Sequence, residues 1–137
     1  MKKMIMALLF VVAAVTAYSQ DNNKSAFDTW PELKAFHGVM SQTYHPSEEG
    51  NLQPIRTRID EFKTKADALA ASKIPDNLNN EKVKTAIADL KTGAAALKKD
   101  IDNNASDETV EKALAALHDV FHRIVGLCMH PETEKHE

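Results

Sequence analysis

Two histidines one helical turn apart, His118 and His122, stand in the apolar stretch ALAALHDVFHRIVGLC (113–128). At about 100° per residue, such a pair puts both imidazoles on one side of a helix, about 6 Å apart at the backbone. Neutral imidazole is a good ligand for zinc, copper, nickel and iron. The pair is therefore part of a metal site if a facing element supplies a third ligand. His37 is the candidate: it falls within the apolar series Trp30, Leu33, His37, Met40, Tyr44, whose steps of three and four mark one helix face. Taken singly, each feature has a plainer reading. A histidine on an apolar face is usually a core residue with a satisfied hydrogen bond, and a lone i, i+4 pair is usually a surface coincidence. Together, three histidines at one level of a core border are costly unless their nitrogens find partners.

Other ligating residues surround this trio. Met40, Tyr44, His45 or Glu49 can supply a fourth ligand, or water can occupy that position. The plainer reading makes Met40 core filler and His45 a helix-end histidine beside solvated acids. Cys128, Met129 and His130 are soft or borderline ligands that suit copper. They lie at the other end of the chain's last helical segment, so His45 and Cys128 are not expected in one site. Cys128 also completes an apolar heptad, which favours a small buried residue. His136 reads as a tail residue. Asp119 and Arg123 read as solvent-facing, with Asp119 able to orient an imidazole from behind.

Four periodic segments must position these groups. The first is capped by Asp28 or Thr29, has Pro31 in its first turn, and should stop near His45, because the residue before Pro46 avoids helical geometry. The second carries Leu52, Ile55, Ile59, Phe62, Ala66 and Leu69, with Pro54 tolerated in its first turn. The third carries Val83, Ile87, Leu90, Ala94, Leu97 and Ile101. The fourth, capped by Ser106, carries Val110, Leu114, Leu117, Phe121, Ile124 and Cys128. PSEEGN, KIPDN and DNNASD punctuate them, and no stretch alternates with period two. This pattern predicts an all-α, antiparallel up-down-up-down four-helix bundle. In that topology the first and fourth helices run antiparallel, which brings His37 opposite His122 and Met40 or Ser41 close to His118.

The chain has 137 residues and a formal net charge of −3. Residues 1–19 read as a signal peptide: Lys2 and Lys3, an apolar run from Met4 to Val15, and Ala17-Tyr18-Ser19 before the expected cut. That run is short for a bilayer span. Residues 20–137 are then one domain, exported to the periplasm, with no stable membrane insertion after cleavage. Loss of the two lysines leaves it more acidic still, which argues against nucleic acid as a partner. One cysteine cannot form an internal disulfide. No Gly-rich phosphate loop or nucleophile motif is present, so an enzyme is not expected. A homodimer is compatible with the sequence, which names no protein partner.

At these residues the chain shows two resemblances. In architecture it is similar to the periplasmic four-helix cytochromes, which hold haem between their first and last helices. For the b-type members this implies Met40, or His37 in its place, paired with His122 or His118. The covalent C-x-x-C-H attachment of the c-type members is missing. More closely, FHGVMSQTYHPSEEGN (36–51) with LHDVFHRI (117–124) resembles a group of exported bacterial proteins with this histidine pattern, which implies a metal or haem bundle and no particular activity. The leading expectation is a periplasmic protein that sequesters, carries or senses a transition metal, zinc or copper, through His37, His118 and His122. The alternatives are non-covalent b-type haem with electron transfer, and a metal-free interaction module or stress chaperone.

Overall fold

The side chains that start the two longest described helices are visible in their first turns. Asn80 accepts a hydrogen bond from the Val83 N–H at 3.0 Å, and Ser106 accepts one from the Thr109 N–H at 3.2 Å. Each satisfies a donor that a helix start leaves without an intrahelical partner. The computed structural model describes residues 25–130, so the expected signal peptide, its cut after Ser19 and His136 lie outside the described residues. Those described are all-α: α1 (Ala26–Thr29), α2 (Pro31–Glu48), α3 (Gln53–Thr57), α4 (Ile59–Ala71), α5 (Glu81–Asp102) and α6 (Asp107–Met129), with a single 3-10 turn at Asp76–Leu78. None of the described helices is long and apolar enough to cross a membrane. α5 packs along α4 and α6, and α2 packs along α4 and α6, around one core.

Three of the four periodic stripes bury as read. Every named position from Leu52 to Leu69 and from Val110 to Cys128 is buried, as are Val83, Ile87, Leu90, Ala94 and Leu97, while Ile101 is only partly so. The second segment is divided at Arg58. Its hydrogen-bond ladder nevertheless runs through the division, Arg58 N–H to Pro54 O at 3.0 Å and Phe62 N–H to Arg58 O at 2.9 Å, so the stripe keeps its phase. Gly93 marks a close approach of α5 and α6, where any Cβ would collide with Leu117.

The first segment differs in three ways. Asp28 and Thr29 do not cap it. They end the separate turn α1, where Asp28 accepts from the Ser25 N–H at 3.1 Å, and α2 starts behind Trp30. The Trp30 indole is buried and donates to Ser72 Oγ at 2.8 Å, tying the start of α2 to the end of α4. α2 also does not stop at His45 but runs through Pro46 to Glu48. Proline's fixed φ suits a helix, and Ser47 Oγ donates to the Tyr44 carbonyl at 2.6 Å, satisfying a group at the fraying end.

The third difference matters most. The buried stripe of α2 is Leu33, Phe36, Met40, Thr43 and Ser47, with Val39; His37 is exposed at its border rather than central to it. Phe36 takes the central place, its ring 5.2 Å from Phe62 and 5.5 Å from Phe121. A phenyl ring gains more from burial than an imidazole, which loses water contacts. Thr43 is admitted because its Oγ1 donates back to the Val39 carbonyl at 2.8 Å, so no polar atom is left unsatisfied.

Candidate metal centre

The rotation of α2 toward Phe36 places His37 at a cleft between α1, α2 and α6. Its volume is about 290 Å³. Phe27 lines it from α1; His37, Met40, Ser41 and His45 from α2; His118, Phe121, His122 and Val125 from α6. α2 and α6 meet here within a turn of the expected register, with His37 stacked on Phe121 at 5.7 Å and Tyr44 stacked on His118 at 3.7 Å.

The tightest feature is the pair on α6. His118 Nε2 and His122 Nε2 lie 3.1 Å apart, with the rings nearly perpendicular at 80°. Without an ion, one nitrogen donates and the other accepts, which requires at least one neutral ring. Burial, and next the neighbouring His122, lower the His118 pKa below its ordinary value; Asp119 and Glu48 pull weakly the other way. His118 is therefore biased toward the unprotonated form that ligates metal. The spacing also suits an ion. Two zinc–nitrogen bonds of 2.0–2.1 Å, meeting between a right angle and the tetrahedral angle, separate their nitrogens by about 2.9–3.4 Å.

His37 shares the cleft but not the pair's contact. Its ring lies 5.0 Å from Phe27 and 5.7 Å from Phe121, held between two phenyls. Among the described residues, no group of three or more His, Cys, Asp or Glu side chains is drawn together closely enough to hold an ion. A third protein ligand thus requires a side chain to swing. Met40 is buried and reaches the cleft from the core side, consistent with both of its readings.

The remaining candidates separate. His45 lines the cleft while its Nδ1 lies 3.0 Å from Glu48 Oε2. Glu49, proposed from the sequence, caps the end of α2 in an exposed position and does not line the cleft; Glu48 is the acid that engages. The hydrogen bond from His45, together with one from Tyr44, holds the Glu48 carboxyl below its usual range. Burial, then the Glu48 charge, pushes the Tyr44 phenol up. The i, i+3 spacing of His45 and Glu48 was readable in the sequence; the role of Phe27 was not, because nothing local fixes where α1 folds. Arg123 faces outward and pairs with Asp89 of α5 at 2.6 Å, and Asp119 is exposed. Cys128 is buried ten residues beyond His118, its thiol pushed up to about 11 by burial.

No protein-family model matches the chain, and no curated protein or solved structure matches it significantly.

Proposed function

We propose that the protein binds a transition-metal ion, zinc or copper, in the cleft between α2 and α6, and that it sequesters, carries or senses the ion rather than catalysing a reaction. The carrying observation is the 3.1 Å separation of His118 Nε2 and His122 Nε2, the spacing of two ligands on one ion. His37 completes the set by rotating from between its two phenyls. It shares the cleft and is exposed. Water or Met40 takes the fourth position. The surrounding architecture in this reading is one antiparallel up-down-up-down bundle, with α3 and α4 together as its second helix and α1 as a cap. A signal peptide would deliver it to the periplasm.

Axial haem ligands need opposite faces of a macrocycle. Two imidazole nitrogens converging from one helix support a compact ion over b-type haem. A metal-free module would show no metal dependence at all.

The experiment is thermal melting of wild type and His122→Ala with and without zinc or cuprous copper. At a hundredfold excess over the dissociation constant, bound metal stabilises the wild type by about 2.7 kcal/mol. His122→Ala removes most of that gain. Equal gains in the two proteins refute the site.

A further inference from the structure

A second groove lies away from the histidines, between the start of α5 and the end of α6. It measures about 360 Å³ and is lined by Glu81, Lys82, Thr85, Ala86, Arg123 and Leu127. Its apolar part is Ala86, which is buried, and Leu127, which packs partly buried against the core. The rest is charged. Glu81 is held by Lys84 at 2.9 Å, and Arg123 donates to Asp89 at 2.6 Å. With those two partners included, the groove carries three cations, Lys82, Lys84 and Arg123, against two acids, Glu81 and Asp89. The positive end of the α5 dipole adds to the same sign.

The chain itself supplies a complementary segment at this place. α6 ends at Met129, just past Leu127, and the proline that follows at 131 cannot continue a helix. Residues 131–137, PETEKHE, lie outside the described residues and hold three glutamates against one lysine. Their reach is sufficient. From His130 back to Arg123 is about 10 Å along the helix, whereas a seven-residue extended chain spans up to about 23 Å. Alternate side chains of an extended chain share a side, so Glu132 and Glu134 can face the cations while Lys135 faces away. Each surface ion pair is weak, but tethering supplies an effective concentration on the order of millimolar.

We infer that residues 131–137 turn back at Pro131 and occupy the α5–α6 groove, with Glu132 and Glu134 toward Lys82 and Arg123. The tail then covers Leu127 and ties the end of α6 to the start of α5. This goes beyond the metal-binding reading and stands without it.

Backbone amide spectra of the purified protein and of a variant ending at His130 test it. Amides of Lys82, Thr85 and Ala86 are expected to shift when the tail is removed, although they are remote from it in sequence. Those of Phe62 and Ala66 on α4 are expected to stay in place. Glu132→Gln combined with Glu134→Gln keeps the chain length and is expected to move the α5 amides most of the way to their positions in the shortened chain. Carbodiimide coupling, which joins a lysine to a touching carboxylate without a spacer, is expected to link Lys82 to Glu132 or Glu134 within one chain at every protein concentration. No α5 shift on shortening the chain overturns the inference. An α5 shift that the double glutamine variant leaves unchanged overturns the charge pairing that directs it. Links formed only between chains, and growing with concentration, give the groove to the tail of a second copy and overturn docking within the chain.

Discussion

Phe36 and His37 are neighbours on α2 with opposite fates. Phe36 is fully buried against Phe62 and Phe121, while His37 is exposed at the cleft and touches the outer side of the same Phe121. α6 repeats the contrast. Leu117 and Phe121 face the core, and His118 and His122, one position on, face the cleft. A rotation of about 100° per residue separates a row that stabilises the fold from a row available for ligands. The two rows share backbone but carry different energies, so they should respond to different perturbations.

The largest expected effect breaks the core row alone. Phe36→Ala removes a fully buried ring at the junction of α2, α4 and α6 and should cost about 3–5 kcal/mol. His37→Ala, one residue on, removes only stacking at an exposed site and should cost under about 1 kcal/mol in metal-free protein. Urea melts of both variants make the comparison. With zinc present the order of interest reverses: Phe36→Ala keeps a metal-dependent gain wherever it remains folded, and His37→Ala loses part of it. Similar costs for the two variants without metal would erase the distinction between the rows.

The sequence showed one row more clearly than the other, for reasons visible in particular residues. The α4, α5 and α6 stripes are apolar throughout, so period alone located them. On α2 the buried stripe includes Thr43 and Ser47, whose hydroxyls bond back to carbonyls of their own helix. That local satisfaction is hidden from a hydropathy pattern. The apolar series through Trp30, Leu33, Met40 and Tyr44 therefore drew His37 into the core in place of Phe36. The error was one of rotation, not of register, so His37, His118 and His122 still line one cleft. Pro46 misled in a similar way: it marked the end of α2 three residues early, because the Ser47 hydroxyl satisfies the terminal turn. Glu48 rather than Glu49 engages His45, through an i, i+3 relation that is local to the sequence. Phe27 had no local signal, since its place depends on α1 folding back against α2 and α6.

Cys128 sharpens the contrast from the core row's far end. It is the last buried residue of that row, and burial raises its thiol from 9.0 to about 11. A folded-state pKa above the unfolded value gives stability that is complete below about pH 9 and is lost as pH rises toward 11. The loss should be on the order of 1 kcal/mol by pH 10. Other groups titrate there too, so the readout is the difference between wild type and Cys128→Ala, whose curve should be flatter between pH 8 and pH 10. Native Cys128 should also alkylate far more slowly than the unfolded chain. Rapid alkylation of the native protein would place Cys128 outside the core row.

The smallest effect belongs to the cleft row and has the opposite pH sense. His118 has its pKa lowered, first by burial and then by His122, against weaker pulls from Asp119 and Glu48. In the unfolded chain the ring takes a proton near its reference value of about 6.5. In the folded protein it resists until lower pH. Metal-free stability is therefore complete above about pH 6.5 and declines as pH falls through that value, because the unfolded chain binds the proton first. The decline levels off once the folded state is also protonated. His118→Gln should remove this component. His122→Ala should reduce it without abolishing it, because burial, the larger cause, remains. Urea melts of the three proteins between pH 5 and pH 7.5 decide the matter. If His122→Ala abolishes the component, repulsion between the two rings governs the pair. If it leaves the component unchanged, the 3.1 Å contact has no electrostatic weight, and the case for two coupled ligand nitrogens weakens with it.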